Sequence, residues 1–469
     1  MAINVLRLVA DAFSSADLEL YLVGGALRDH LLERPVHEWD FATNARTNEI
    51  LSTLEMAGET NHWAQPWSIY RVGEKFGTIG LVANGERAEI TTYRSSESYP
   101  EGSRKPSVIF GSGIEEDLSR RDFTVNSMAI RAQSFLEGDT SGLIDPYGGR
   151  DDLAARLIRS VGAPHERFRE DPLRLLRAVR LAAQLGFSVE ARTWAAMADR
   201  AQLLSSISRE RIADELTRML TGPDPARSLT LLRDSGLLQA AVPDLMILDA
   251  MPDHGPRHPM SLWDHTMLVV EGVEPDPISR WAALLHDIGK PETRTFDERG
   301  RIRFFQHEEV GAKRAAEVLR SLRRSNELVE SVHDLVETHM QVHQYTPEWS
   351  DGAIRRLCEK LGPNFAKAID LAKSDVRGHR ETTWGVTGAA ELEERAAQLQ
   401  AQLPSVQSPL TGVVLMERYR RPPGPWIGEI KDRLTEMVRD GALLPGDLER
   451  AWEIADAIVG AQTGLRDKH

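Results

Sequence analysis

The pattern of apolar and polar positions divides the chain into a mixed first part and a helical remainder. Up to about residue 150, "LELYLVGG" (18–25) and "AEITTYR" (88–94) predict short strands, and "ALRDHLLE" (26–33) predicts a helix directly behind the first of them. From about residue 151 onward, apolar residues recur every three or four positions, as in "DPLRLLRAVRLAAQLGF" (171–187). The pattern therefore predicts an α+β part followed by an all-helical part.

Two stretches rich in helix-breaking residues interrupt this pattern, "DAMPDHGPRHP" (249–259) and "QLPSVQSPLTG" (402–412). Because single hydrophobic cores stop growing near about 250 to 300 residues, a chain of 469 residues requires several domains. The two breaks, together with the change of pattern near residue 150, predict four segments. They comprise residues 1–150, 151–248, 249–401 and 402–469.

Charge and composition narrow the environment and the partners. The net charge of −14 argues against a nucleic-acid partner, but basic residues cluster in "RLIRSVGAPHERFREDPLRLLRAVR" (156–180), so global acidity does not exclude one. Cys358 is the only cysteine, which excludes an intrachain disulfide and argues against a thiolate metal site. The chain shows neither an apolar run long enough to span a membrane nor a signal-peptide pattern. We therefore expect a cytoplasmic protein with no membrane partner.

Candidate chemistry begins at Gly24-Gly25, between the first predicted strand and its helix. Backbone N–H groups at a helix start favour an anion such as a triphosphate. If "EWDF" is extended, Glu38 and Asp40 project from one face, and paired carboxylates of this kind suit a shared Mg²⁺. Glu89, on the other predicted strand, is the nearest third carboxylate for a two-metal site. Each feature alone is also typical of an ordinary turn or a solvated strand face, but their ordered combination favours phosphoryl or nucleotidyl transfer.

Several further motifs follow these residues along the chain. They are "GGALRDHLL" (24–32), "EWDFAT" (38–43), "RRDFTVNSMA" (120–129), "LIDPYGGRDDL" (143–153), "RFREDPLRLLRAVRLAAQLGF" (167–187), "SRERIADEL" (208–216), "PLTGVVLM" (409–416) and "PGPWIGEIKDRL" (423–434). In this order they resemble the class II tRNA nucleotidyltransferases, the family of CCA-adding enzymes and their poly(A) polymerase relatives. The resemblance spans nearly the whole chain.

The resemblance implies a polymerase-beta-like head followed by an all-helical neck, body and tail. It implies that the carboxylates at 38 and 40 bind the catalytic metal, and that the segment from 93 to 113 holds a mobile loop involved in switching from C to A addition. The residues that we assign to nucleotide binding from the resemblance are Gly24, Gly25, Arg28, Asp29, Arg121, Asp122, Asn126 and Arg177.

One position departs from the family pattern. The family usually has Asp-x-Asp, whereas this chain has Glu38-Trp39-Asp40. The extra methylene moves the carboxylate by about a bond length, and roughly 1 Å of misplacement can cost about 100-fold in rate. Either the strand compensates, which we favour, or the head is slower than its relatives.

A base-reading pair is predicted within "EDPLR". Asp171 and Arg174 lie at i and i+3 of a helix starting near Pro172, close enough to share one ligand edge. Cytosine and adenine both present an amine donor beside a ring-nitrogen acceptor, which a carboxylate and a guanidinium complement. Guanine and uracil carry a carbonyl at the amine position. An isolated EDxxR is more often a surface ion pair, but here it follows the head motifs, and in the family the matching Asp and Arg recognise the base.

A second centre is predicted in the helical half, where "SLWDHT" (261–266) and "WAALLHDIGKPET" (281–293) resemble an HD-type metal-dependent phosphohydrolase. Mixed imidazole and carboxylate ligands suit a transition-type divalent ion such as Mn²⁺ or Ni²⁺ more than Mg²⁺ alone. We interpret His333 and His343 as structural or exposed. The predicted ligands are His265, His286, Asp287, His307, His339 and Asp375.

Together these observations predict an enzyme that adds C and A from CTP and ATP to the 3' end of tRNA, with an HD domain that can hydrolyse phosphoesters. One alternative is an A-adding enzyme or poly(A) polymerase of the same family. Another is an HD phosphohydrolase with an impaired transferase head. An alarmone-type enzyme pairs similar parts in the reverse order, and the head-first order here argues against it.

Overall fold

The computed structural model describes residues 5–60, 63, 67–71, 73–98, 107–251, 260–377, 383–401, 408–439, 442–444 and 446–464. The chain forms two compact units, one of Met1–His339 with Lys373–Thr382 and one of Met340–Ala372 with Thr383–His469. Within the described part of the chain, the helices are all too short or too polar to cross a lipid bilayer.

The strands among the described residues all lie in the first unit. They are β1 (Leu20–Val23), β2 (Glu38–Thr43), β3 (Trp67–Tyr70), β4 (Thr78–Ala83), β5 (Glu86–Thr92), β6 (Arg94–Ser98), β7 (Ser107–Phe110), β8 (Ala129–Arg131), β9 (Leu157–Ile158), β10 (Ser188–Val189), β11 (Arg294–Phe296) and β12 (Ile302–Phe304).

Helices make up most of the remaining described residues. The first twelve are α1 (Val5–Ser15), α2 (Gly24–Leu31), α3 (Thr47–Thr60), α4 (Ile114–Ser119), α5 (Ala132–Leu136), α6 (Gly149–Ala155), α7 (Pro164–Glu170), α8 (Leu173–Leu185), α9 (Ala191–Arg200), α10 (Arg209–Leu220), α11 (Pro225–Asp234) and α12 (Leu237–Ala241). The others are α13 (Leu262–Gly272), α14 (Pro277–Leu285), α15 (Lys290–Thr293), α16 (His307–Ser321), α17 (Asn326–His343), α18 (Asp351–Leu361), α19 (Phe365–Arg377), α20 (Thr383–Ala401), α21 (Gly412–Tyr419), α22 (Pro425–Arg439) and α23 (Leu448–Gly464).

A six-stranded sheet in the order β3-β4-β5-β2-β1-β8 organises the head. β2 pairs in parallel with β5, and its other neighbour, β1, runs antiparallel to it. Side chains alternate along β2, so Trp39 and Phe41 are buried in the core while Asp40 projects from the opposite face. The strands predicted at 18–25 and 88–94 correspond to β1 and β5.

The segment from 93 to 113 differs from the polar loop that its composition suggests. β6 and β7 pair antiparallel here, with a register shift between Arg94 and Ser96. This ribbon stands outside the main sheet, and Ile109 is 62% exposed, so it lacks the buried face that gives a strand its apolar alternation. The loop that the family resemblance implies falls largely on residues 99–106, outside the described residues.

The described residues of the predicted all-helical part also include four short strands. β9 pairs in parallel with β10, and β11 pairs antiparallel with β12. These strands span only two or three residues each, which is too short for a period-two pattern to appear in the sequence.

α8 confirms the helix predicted at 171–187 and supplies much of the neck. It begins behind Pro172 and ends at Gly186, whose φ of 69° lies in the left-handed region that glycine adopts readily. Leu175, Leu176 and Val179 are fully buried on the face that packs against α10 and α11. The other face carries arginines towards the head.

The HD region is built from α13, α14, α16, α17 and the end of α19 within the first unit. Trp281 on α14 is fully buried and donates from Nε1 to Thr217 Oγ1 on α10, at 3.1 Å. The HD helices and the neck therefore share a packed interior.

The second unit contains α18 and α20 to α23. α21, α22 and α23 surround a small core that includes Leu415, Trp426, Ile430 and Leu434. Both predicted segment breaks, at 249–259 and at 402–412, lie mostly outside the described residues. The four-segment division therefore stays a prediction.

Candidate active site

The glycine turn places backbone N–H groups beside the carboxylates. β1 ends at Val23, and α2 begins at Gly24 itself, two residues earlier than the apolar pattern suggests. Gly24 has a φ of +66°, and a Cβ there would lie 3.0 Å from Arg121 Nη1 and 3.4 Å from Asp40 Oδ2. Glycine is therefore required both for the backbone conformation and for the close approach of two charged groups.

The three predicted carboxylates share one sheet face. Asp40 is paired directly with Glu89 across β2 and β5, and Glu38 lies two residues earlier on β2, opposite Arg87. Burial raises the pKa of Asp40 to about 6, an effect opposed by Arg121 and reinforced by the charges of Glu38 and Glu89. Burial, and then the charge of Glu38, also raise the pKa of Glu89. Such a cluster favours a bound cation, which relieves the repulsion among the carboxylates.

A buried aspartate that the sequence analysis did not single out orients the arginines of the "RRD" motif. Asp117 on α4 is 1% exposed and accepts from Arg120 Nη2 at 2.8 Å and from Arg121 Nη2 at 2.9 Å. Although burial opposes it, the two arginines hold the pKa of Asp117 below its usual range. The i, i+3 and i, i+4 spacing of an acid before two arginines is the signal that could have identified Asp117.

Asp122 links the head to α8. Its Oδ2 accepts from Arg177 Nε at 2.8 Å, and its Oδ1 accepts from Asn126 Nδ2 at 3.2 Å. Asp122 is buried, yet the charges of Arg177 and Arg174 hold its pKa well below the usual range. It is therefore a permanent anion that binds Arg177 of the neck and attracts Arg174.

A cleft of about 600 Å³ collects most of the predicted nucleotide-binding residues. Arg28, Asp29 and Glu38, which are also described, do not line it. Arg28 instead donates to Asn126 Oδ1 and to Asp29 from behind the cleft wall, each at 2.9 Å. The predicted residues that line the cleft are Gly24, Gly25, Asp40, Glu89, Arg121, Asp122, Asn126, Asp171, Arg174 and Arg177.

Asp171 and Arg174 both reach the cleft, but each is held by a different partner. Asp171 lies in the bend between α7 and α8, and Arg211 Nη2 approaches its two carboxylate oxygens at 3.3 and 3.2 Å. Arg174 Nη2 donates to the Arg120 carbonyl at 2.7 Å, and its Nη1 donates to Glu170 Oε2 at 3.1 Å. The two residues are therefore positioned separately, rather than as an i, i+3 ion pair.

The six predicted HD ligands converge in the interior of the first unit, and each is at most 5% exposed. They form two groups, and within each group one ligand atom per residue lies within 4.8 Å of the others. The groups are His265, His286 and Asp375, and Asp287, His307 and His339.

The histidine tautomers follow from the backbone. The Nδ1 atoms of His286, His307 and His339 lie 2.8, 2.9 and 2.6 Å from the carbonyl oxygens of Ala283, Phe304 and Val336. Because a carbonyl only accepts, each Nδ1 carries the proton and each Nε2 offers a lone pair. Nε2 of His307 lies 3.2 Å from Nε2 of His339, and a cation between such lone pairs would relieve their repulsion.

The charges around this centre favour metal ligation. Burial and the neighbouring His286 lower the pKa of His339 to about 3, which keeps its imidazole neutral. His286 and Lys290, against the effect of burial, hold the pKa of Asp287 well below its usual value. Lys290 Nζ lies 2.6 Å from Asp287 Oδ2, a contact that the i, i+3 spacing in "HDIGK" could have revealed.

The two histidines interpreted as structural or exposed lie apart from these groups. His333 is partly exposed, and its Nδ1 lies 3.0 Å from Asp334 Oδ1. With Asp334 and Glu337 it forms a separate, partly buried group on α17. His343 is half-buried.

Three family models match the chain in the order that its motifs suggest. The Poly A polymerase head domain matches residues 20–159, the probable RNA and SrmB-binding site of polymerase A matches 186–248, and the HD domain matches 257–377. The CCA-adding enzyme of Geobacillus thermodenitrificans is 31% identical over 430 residues, which are 90% of this chain and 89% of the relative. The chain belongs to the CCA-adding enzyme family. The Geobacillus stearothermophilus member is 30% identical over 429 residues, with the same coverage.

Solved structures of CCA-adding enzymes share this fold. The Bacillus stearothermophilus CCA-adding enzyme in complex with CTP has a TM-score of 0.61 and 25% identity, and the match covers 99% of this chain and 98% of that one. A tRNA nucleotidyltransferase complexed with a primer tRNA and an incoming ATP analog has a TM-score of 0.52 and 21% identity, and the match covers 84% and 98% of the two chains. The family and the fold class predicted from the motifs are confirmed.

Several cleft residues of this CCA-adding enzyme family member were not predicted. A group of them comes from α10, whose motif "SRERIADEL" supports the family resemblance but carries no evident base-reading chemistry. Glu215 is 2% exposed and accepts from Arg180 Nε at 2.7 Å, which ties α10 to α8. The α10 residues that line the cleft are Arg211, Asp214, Glu215 and Arg218.

Proposed function

We propose that this protein adds C and A nucleotides to the 3' end of tRNA, using CTP and ATP and no nucleic-acid template. One observation carries the proposal: a single cleft brings Asp40 and Glu89 together with Arg121, Asp171 and Arg174. This cleft lies in a chain that is similar over 90% of its length to CCA-adding enzymes. A cytoplasmic location agrees with an action on tRNA and stays a prediction.

The head carboxylates fit Mg²⁺, because their oxygens are hard ligands and because burial, reinforced by the charges of Glu38 and Glu89, raises the pKa of Asp40 to about 6. Asp40 and Glu89 would hold the ion, with Glu38 at the start of the same strand as a further ligand. Mg²⁺ bound in this way supplies charge neutralisation at the triphosphate and activation of the attacking hydroxyl, in a two-metal arrangement. Glu38, Asp40 and Glu89 are therefore the proposed catalytic carboxylates.

The triphosphate is held by the start of α2 and by Arg121. Backbone N–H groups at Gly24 and Gly25 point along the helix axis towards an anion, and the helix dipole adds a partial positive charge. Arg121 is fixed beside them by Asp117, at 2.9 Å. Arg28 and Asp29 support this wall from outside the cleft, through Asn126.

Base selection rests on Asp171 and Arg174. The carboxylate accepts from the amine of cytosine or adenine, and the guanidinium donates to the adjacent ring nitrogen. Uracil and guanine would place a carbonyl against Asp171 and a ring N–H against Arg174, so both contacts would be lost. The hydrogen bond from Arg174 Nη2 to the Arg120 carbonyl keeps the guanidinium in place between additions.

The helical segment from 151 to 248 would hold the acceptor arm of tRNA through phosphate contacts. Its basic residues are clustered even though the whole chain is acidic. Binding of this kind weakens steeply with salt, because counterions return to the phosphates.

The HD centre is proposed as a separate metal-dependent phosphohydrolase site. Five of its six ligands come from different helices or helix ends, and the histidine Nε2 atoms face one another, which fits a transition-type divalent ion such as Mn²⁺ or Ni²⁺. Each of the two ligand groups could hold an ion, and Asp287 Oδ2 of one group lies 3.1 Å from His286 Nε2 of the other. Metal analysis of the purified protein tests this proposal. His286→Ala combined with Asp287→Ala should remove the bound metal, and undiminished metal would contradict it.

Extension of tRNA tests the transferase proposal. The purified protein and Mg²⁺ are incubated with tRNAs ending before CCA, after C and after CC, with each nucleotide supplied separately, and the products are resolved to one nucleotide. We expect C on the first two substrates and A on the third. Addition of A alone would favour an A-adding enzyme, and a long A tail would favour a poly(A) polymerase. No extension on any substrate would contradict the proposal.

A further inference from the structure

Arg211 on α10 contacts the residue proposed to read the base. Its Nη2 lies 3.3 Å from Asp171 Oδ1 and 3.2 Å from Asp171 Oδ2, so one donor group spans both oxygens of the carboxylate. The two side chains are similarly buried, at 13% and 11% exposed. Arg211 also lines the nucleotide cleft.

This contact limits the orientation of the carboxylate. An ionised carboxylate has about four lone-pair directions. Asp171 Oδ1 uses one to accept from the Leu173 backbone N–H at 3.2 Å, and Arg211 covers the side where the two oxygens meet. The directions that remain are those available to a base amine. Without Arg211, only the hydrogen bond from the Leu173 N–H to Oδ1 would limit rotation about the Cβ–Cγ bond, and the acceptor oxygen would be held less firmly.

Arg211 is itself carried by a helix that is anchored on several sides. Glu215, one turn after Arg211, accepts with its Oε2 from Arg180 Nε of α8 at 2.7 Å. Asp214 accepts from Arg324 Nη1 at 2.8 Å, and Thr217 accepts from Trp281, so the HD helices hold the outer side of α10. A guanidinium on such a helix acts as a fixed support, because little freedom remains to be lost when the nucleotide binds.

We propose that Arg211 is a positioning residue that sets base selectivity, by holding the acceptor oxygen of Asp171 towards the position of the cytosine or adenine amine. The inference rests on the proposed transferase function. It assigns to α10 a part in discriminating CTP and ATP from UTP and GTP, in addition to its structural part in the neck.

The test compares nucleotide selectivity in Arg211→Ala, Arg211→Lys and the wild type. The measured quantity is the ratio of kcat/KM for CTP to that for UTP on tRNA ending before CCA, and the ratio for ATP to GTP on tRNA ending in CC. We expect Arg211→Ala to lower both ratios by at least about 10-fold. Arg211→Lys should recover part of the loss, since an ammonium can still hold one oxygen of Asp171.

Arg209→Ala is the matched control. Arg209 begins the same helix and donates from Nη1 to the Ala241 carbonyl at 2.8 Å, so its loss weakens the anchoring of α10 without removing a contact to Asp171. The Arg209→Ala variant should keep both wild-type ratios. If it loses as much selectivity as Arg211→Ala, then the anchoring of α10 alone is responsible, and the inference is overturned.

A double-mutant cycle shows whether Arg211 acts through Asp171. If it does, Arg211→Ala combined with Asp171→Ala should have the same ratios as Asp171→Ala alone. Ratios for Arg211→Ala within about twofold of the wild type, or fully additive effects in the cycle, would contradict the inference. A wild type that adds neither C nor A would instead contradict the proposed function. If Arg211→Ala does not fold, Arg211→Lys and Arg211→Gln are compared with the wild type by the same two kcat/KM ratios, CTP to UTP and ATP to GTP.

Discussion

Among single residues, Asp40 shows how much free energy is needed to ionise a buried metal-ligating carboxylate. Burial raises its pKa from 3.8 to about 6, so between about pH 4 and 6 the folded chain binds more protons than the unfolded chain. Stability therefore falls as the pH rises through this window, because the folded state must ionise a buried carboxylate. Neutral pH thus leaves the metal-free head with an unfavourable charge that Mg²⁺ would offset.

Asp40→Asn should stabilise the metal-free protein above pH 6. The neutral amide removes the buried charge, and we expect the free energy of unfolding at pH 7.5 to rise by about 1 to 2 kcal/mol. Denaturant unfolding in EDTA at pH 7.5 and pH 4 measures this effect. The gain should largely vanish at pH 4, because Asp40 is then protonated in the folded state and no buried charge remains to be removed. An equal gain at both pH values would show that burial of the charge is not its cause.

Glu38 is the residue on which the family pattern and this chain disagree. It is exposed at the first position of β2, and it does not line the cleft as Asp40 and Glu89 do. A longer side chain at this edge position can reach back along the strand face towards Asp40, which supports a tolerated replacement.

We expect Glu38→Ala to slow primer extension by about 100-fold, because one metal ligand is lost, while Glu38→Asp should remain within about tenfold of the wild type. Single-turnover rates on tRNA ending in CC compare them, with Glu86→Ala, on the neighbouring strand, as the control. An unimpaired Glu38→Ala would remove Glu38 from the metal site.

At the scale of elements, α10 and α14 join the transferase to the HD region. Trp281 is fully buried between them and is hydrogen-bonded to Thr217. Trp281→Ala should lower the free energy of unfolding by about 3 to 5 kcal/mol, because a large cavity is left at this junction. Trp281→Phe keeps most of the packing and should lose about 1 kcal/mol with the hydrogen bond. Denaturant midpoints measure both, and a loss below about 1 kcal/mol for the alanine variant would mean that the junction contributes little.

Some helices and strands could be predicted from the sequence, and others could not. β1, β5 and α8 are long enough, and buried on one side, for their periodicity to predict them. The β6–β7 ribbon and the short strands β9 to β12 are not, because they bury no continuous apolar face. The sequence pattern predicts Glu89 on a strand near Asp40, but the strand order that pairs the two residues directly comes from the fold.

Some residues of the candidate site could likewise be predicted from the sequence, and others could not. Motif residues such as Asp40 and His286 could be predicted because their chemistry is unusual for their position in the chain. Asp117, Arg211 and Lys290 act through a partner side chain. Such a partner can be recognised from the sequence only when it lies three or four residues away on the same helix. Arg211 lies 40 residues from Asp171, so only the folded chain brings them together.

In the whole molecule, one compact unit contains two separate centres. The head cleft carries the carboxylates and arginines proposed for nucleotidyl transfer, and the HD centre carries the histidines proposed for phosphoester hydrolysis. The six HD ligands are not among the residues that line the head cleft. Loss of either centre should therefore leave the chemistry of the other in place.

The most direct test of this claim measures CCA synthesis on tRNA lacking its 3' end, with CTP, ATP and Mg²⁺, by three forms of the protein. The wild type should complete CCA. Asp40→Asn should reduce extension by at least about 1,000-fold, and His286→Ala with Asp287→Ala should extend within about threefold of the wild type if the variant is folded by circular dichroism. Extension that survives Asp40→Asn, or that disappears in the folded HD variant, would contradict the assignment of nucleotidyl transfer to the head cleft.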